Sequence, residues 1–162
     1  LNLPENKITE IKNLPPYLNR LDLSDNCITE IDNLPSYLLE LQLYNNNITE
    51  IKNLPNSLLI LSLSNNKITE IKNLPPNLQN LYIYDNRITQ LPFELSLHYR
   101  LEEFYFYDNP IEYIHPATQR WLRRFERNNK NTKVYSDNQN IHNLNIQKSF
   151  RKSVINIMKD KI

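Results

Sequence analysis

Residues 21–40 read LDLSDNCITEIDNLPSYLLE, and residues 41–60 read LQLYNNNITEIKNLPNSLLI. Laid over one another, they match Leu at the first, third and eighteenth places, Asn at the sixth, and Ile at the eighth and eleventh. The step of 20 continues in both directions. Leu1, Leu21, Leu41, Leu61 and Leu81 hold the first place; Leu3, Leu23, Leu43, Leu63 and Ile83 hold the third. Asn6, Asn26, Asn46, Asn66 and Asn86 follow, then Ile8, Ile28, Ile48, Ile68 and Ile88. Four copies also carry Asn-Leu-Pro, beginning at Asn13, Asn33, Asn53 and Asn73. Self-similarity at a fixed short period is the signature of a solenoid.

The spacing has a physical reading. Leu at the first and third places alternates with variable residues, the period of a strand with one buried face. So short a strand cannot bury that face alone. Stacking copies in register, about 4.8 Å apart, makes a parallel ladder over a continuous core. The Asn after the strand both donates and accepts, so it can satisfy backbone groups of its own and adjacent turns. Asn26, Asn46, Asn66, Asn86 and, after a longer step, Asn109 are therefore read as structural. Pro in Asn-Leu-Pro fixes φ and keeps the preceding residue out of the helix, which suits an extended convex segment.

These residues identify the chain as similar to leucine-rich repeat proteins. The 20-residue unit with L-P-x-x-L resembles the short repeats of bacterial secreted effectors. The N-x-I-T-E-I-x-N-L stretch is also similar to phosphatase-regulator and internalin-type repeats. Composition and tail resemble leucine-rich repeat proteins of mimivirus-like giant viruses. The resemblance covers residues 1 to about 125. It implies an α/β-type solenoid with a curved parallel sheet on its concave face, short irregular or extended convex segments, and a capping helix at the C-terminal end. It also implies a protein-binding scaffold, working in the cytoplasm or, for a viral or secreted effector, in the host cytoplasm. Related effectors often append a ubiquitin ligase with a catalytic cysteine; no cysteine follows Cys27 here, so that activity is not carried over.

The pattern changes late in the chain. Asn86 recurs as Asn109, so the fifth unit runs 23 residues from Leu81, with LPFELSLHYRLEE offering a helical turn. An atypical terminal unit starts at Phe104. Pro116 then opens a cap helix over about 116–127, with Trp121, Leu122 and Phe125 on one face. Residues 128–144 form a polar linker, and 145–161 an amphipathic helix with Ile146, Phe150 and Val154 in its stripe. At the other end the chain opens inside a strand, at Leu1. An excerpt of a longer array is the expectation there.

Composition excludes several functions. The chain has 162 residues, a net charge of +1, no glycine and one cysteine. Absence of glycine rules out glycine-dependent phosphate loops. One cysteine and the scattered His98, His115 and His142 have no metal-ligand spacing. No apolar run approaches the ~18 residues a membrane span needs. No basic-then-apolar leader opens the chain, and cysteine scarcity fits a reducing compartment. Cys27 has no histidine in its own or neighbouring units, so nothing activates its thiol. The expectation is a non-enzymatic protein without cofactor or metal.

Function must then lie in the variable places. Those between and beside the strand leucines face the concave side. Tyr82, Tyr84, Tyr105 and Tyr107 fall on two adjacent strands, edged by Asp85 and Asp108, with Tyr44 and Gln42 outlying. Tyrosine offers large contact area with few torsions to freeze, and clustered exposed aromatics anchor protein interfaces. Cross-strand pairing that merely steadies the ladder is the competing reading. Charge is uneven: residues 1–103 carry 8 basic and 13 acidic side chains, residues 104–162 carry 11 and 5. The basic third leaves two other readings open, self-association through 145–161 and contact with nucleic acid or an anionic surface. Both rank behind a partner protein of unknown identity.

Overall fold

The computed structural model describes residues 1–128 and 133–135. Each 20-residue unit supplies one three-residue strand: β1 (Arg20–Asp22), β2 (Glu40–Gln42), β3 (Ile60–Ser62) and β4 (Asn80–Tyr82). All pair in parallel with a register step of one unit, Leu21 against Leu41, Leu61 and then Leu81. A single bridge, Asn2 to Asp22, carries the ladder into the first unit. Beyond β4, β5 (Gln90–Leu91) leaves this sheet and β6 (Glu103–Tyr105) returns to it, with Leu81 opposite Phe104.

The strands stay short because the chain must turn twice in each unit. The residue before the ladder asparagine has positive φ in every unit: 55° at Asp25, 54° at Asn45, 52° at Asn65, 53° at Asp85 and 52° at Asp108. The asparagine of Asn-Leu-Pro does the same, at 54° for Asn13 and 52° for Asn33. With no glycine in the chain, Asn and Asp are the residues that reach the left-handed region at least cost. Asn33, Asn53 and Asn73 also donate to Ile11, Ile31 and Ile51 oxygens one turn back.

The ladder asparagine ties the turns together. Asn66 Nδ2 donates to Leu63 O at 3.1 Å, Ser64 O at 3.2 Å and, one turn back, Leu43 O at 2.9 Å. Its Oδ1 accepts the Ile48 amide at 2.9 Å. Asn26, Asn46 and Asn86 repeat the set, and Asn109 keeps it across the longer step by accepting from Ile88. Around this spine, Leu41, Leu43, Ile48, Ile51 and Leu58 of a middle unit are fully buried. Leu1 and Leu3 of the first unit remain 47% and 36% exposed.

The far end is built differently. A 3-10 helix at Phe93–Leu97 takes up the longer fifth unit, burying Leu95. β7 (Tyr113–Ile114) pairs in parallel with β5, Leu91 against Ile114, forming a second, two-stranded sheet. Then α1 (Pro116–Asn128) begins on its proline, where a missing N–H costs nothing. Its buried Leu122 and Thr118 turn inward. Thr118 Oγ1 donates to Pro92 O at 2.5 Å, and Trp121 lies 6.3 Å from Phe104 between ring centroids. In the stretch read from the sequence as linker, β8 (Lys133–Tyr135) joins the main sheet beyond β6, with Tyr105 opposite Tyr135. Val and Tyr favour strands, and an unpaired edge accepts one. The helix expected over 145–161 lies outside the described residues.

Candidate partner-binding face

Strand alternation turns the leucines into the core and their neighbours to the concave side. Parallel register then stacks those neighbours into columns. In the column between the first- and third-place core residues, Tyr82 and Tyr105 meet edge to face, centroids 5.0 Å apart at 86°. In the column after them, Tyr84 and Tyr107 stack with centroids 4.5 Å apart at 7°. All four are half-buried. The four-tyrosine patch expected from the sequence spacing is thus assembled on adjacent strands.

Tyr82 is held in place. Its hydroxyl donates to Glu103 Oε2 at 2.5 Å and accepts from Asn80 Nδ2 at 3.1 Å. Partial burial, then the bond to Glu103, pushes its pKa up to about 12. Losing the proton would forfeit that bond and set two negative charges side by side, so the phenol remains a donor at physiological pH. Asn80 and Glu103 were not singled out from the sequence. Their signal was there: each precedes the inward-facing core residue of its strand, Leu81 or Phe104, which puts it on the same concave side as the tyrosines.

Asp85 and Asp108 are exposed beside the stacked pair. Both stand at positive φ, so backbone geometry alone accounts for an Asp there, whatever it meets. Gln42 and Tyr44, half-buried on and after β2, are set apart from the four tyrosines by Ser62 and Ser64. Gln42 Nε2 donates to Glu40 Oε1 at 3.2 Å, and Glu40 pairs with Arg20 at 2.6 Å. These residues with Leu1, Asn2 and Asp22 line a shallow depression of about 270 Å³.

The convex columns carry ion pairs. Lys52 reaches Glu30 at 3.1 Å and Lys72 reaches Glu50 at 2.9 Å, each one turn back. Hydrogen bonding to Lys72 holds the Glu50 carboxyl below its ordinary pKa, and Glu30 raises Lys52. Exposed pairs of this kind contribute little and call for no ligand. Asn47, the sequon asparagine of Asn-Ile-Thr, accepts Lys67 Nζ at 2.6 Å. Cys27 is exposed. Among the described residues no His, Cys, Asp and Glu group could hold a metal, and no helix is long and apolar enough to cross a membrane.

No family profile and no curated sequence matches the chain. Solved structures do. The leucine-rich repeat domain of a Shigella effector aligns over 83% of this chain and 61% of its own, at 24% identity and a TM-score of 0.64. A leucine-rich repeat protein of Leptospira interrogans aligns over 83% and 36%, at 29% identity and 0.61. YopM from Yersinia enterocolitica aligns over 70% and 29%, at 28% identity and 0.53. This chain spans less than two thirds of each. Leucine-rich repeat proteins are typically interaction scaffolds, and these fold neighbours are generally non-enzymatic. The in-register ladder, the asparagine spine and these neighbours agree: this chain is a leucine-rich repeat solenoid of about five turns.

Proposed function

We propose that this solenoid is a non-enzymatic scaffold that binds a partner protein on its concave face. Tyr82, Tyr84, Tyr105 and Tyr107 are its anchors, Asp85 and Asp108 its edge, and Gln42 and Tyr44 outlying contacts. The supporting observation is the aromatic square itself, two ring pairs at 5.0 and 4.5 Å on the concave columns. Rings already packed against one another lose little freedom when a partner lands on them, so binding carries a small ordering cost. The core does not require them there, since Ser62 and Ser64 hold the equivalent places on the preceding strand. The test is a crosslinking pull-down from the native cell with wild type and the double variant Tyr84→Ala/Tyr107→Ala. Partner capture is expected to vanish in the variant while the thermal midpoint stays within a few degrees. Parallel loss of fold and binding would refute the assignment.

A further inference from the structure

The concave columns are strongly acidic. From the first unit to β6 they hold four aspartates and three glutamates against Arg20. Arg20 is already paired with Glu40. A surface of this sign raises the local concentration of cationic partners and repels acidic ones.

A second observation narrows the chemistry. Ser64 is fully buried, and its Oγ has no hydrogen-bond partner. It follows the core residue Leu63, so strand alternation turns it to the concave side, in the column between Tyr44 and Tyr84. Buried hydroxyls are nearly always paired, and each exception asks for a reason. The floor of the aromatic face thus holds an unused acceptor with an aromatic side chain on either side and the exposed carboxylate of Asp85 beside Tyr84.

Guanidinium fits all three features. It is planar, stacks on an aromatic face, carries several N–H donors in one plane, and pairs with carboxylates. Ammonium supplies the charge without the planar stack. We propose that the concave face takes a basic, arginine-bearing segment of the partner, with one guanidinium stacked on Tyr84 and donating to Ser64 Oγ and Asp85. Flanking basic residues of that segment meet Asp22 and Asp25. Access to Ser64 needs rotation of Tyr44, which among the described residues packs against no other ring, so the Tyr84–Tyr107 stack is kept. The inference rests on the concave-face reading and adds the chemistry of what binds.

The test is fluorescence anisotropy of the full chain with three labelled peptides of equal length, alternating Arg-Ser, Lys-Ser and Glu-Ser. The arginine peptide is expected to bind tightest, with an affinity that falls as salt rises. Tyr84→Ala should weaken it about tenfold. Ser64→Ala should weaken it about threefold while the thermal midpoint holds or rises, because an unpaired buried hydroxyl is removed. Equal binding of arginine and lysine peptides with no effect of Ser64→Ala overturns the proposal, as does preference for the glutamate peptide. Tighter binding of a synthetic 145–161 peptide assigns the face to the chain's own C-terminal segment and also overturns it. The two readings fail separately. A native partner lost in the double tyrosine variant but not displaced by the arginine peptide sinks this inference alone; a partner retained by that variant sinks the concave-face reading.

Discussion

At the scale of the residue, asparagine does three jobs that other folds divide among several residue types. Asn66 closes the turn by bonding three carbonyls and one amide, and its neighbour Asn65 supplies the positive φ that glycine would otherwise provide. The third job is at Asn73, where positive φ is combined with a bond to Ile51 O. The first job is the costly one to lose, because it leaves the buried Ile48 amide without an acceptor. Asn66→Ala is therefore expected to destabilise the solenoid by roughly 3–5 kcal/mol, with Asn65→Gly nearly neutral as its control. Urea unfolding of both variants measures the difference. The spine was legible in the sequence because a sixth-place Asn recurs in every unit. The left-handed turns were not: a conformational requirement leaves no side-chain period, and Asp, Asn and Glu all occupy the place before the spine. Asp85 and Asp108 therefore serve the backbone turn as well as edging the aromatic face.

At the scale of the element, the strands are interchangeable and the C-terminal end is not. β1 to β4 repeat one pairing, so each is stabilised by its two neighbours rather than by its own three residues. The end is held by contacts of α1 with the 3-10 helix at Phe93–Leu97 and with Pro92, which opens it. Foremost is the buried Thr118 hydroxyl on Pro92 O. Thr118→Val keeps the shape and removes the donor, leaving a carbonyl unpaired. The expected cost is about 1–2 kcal/mol, with hydrogen exchange speeding up across residues 93–101 before the ladder responds. Uniform acceleration throughout the chain would show that the end is not a separate unit. The helix start at Pro116 was readable from its proline and apolar face. β8 was not readable, since three residues carry no period and what places them is the open edge of β6.

At the scale of the whole molecule, the solenoid is a one-dimensional stack, and its stability should vary along the axis. Units at 41–80 bury the leucines and isoleucines of their first, third, eighth, eleventh and eighteenth places, whereas Leu1 and Leu3 are half open to water. Amides at residues 3–9 are expected to exchange much faster than those at 43–68, and mass spectrometry of hydrogen exchange reads that gradient directly. A flat profile would mean that the stack opens as a single unit. Periodicity alone dictates the ladder, its register, the buried asparagine spine and the concave columns, because an in-register repeat maps each period onto one spatial neighbour. It also placed the four tyrosines on two adjacent strands. Three-dimensional packing sets how those rings meet, that Glu103 and Asn80 clamp Tyr82, and that Ser64 lies buried and unpaired between Tyr44 and Tyr84. Those outcomes depend on side-chain size and rotation between neighbouring strands, and periodicity is silent about both.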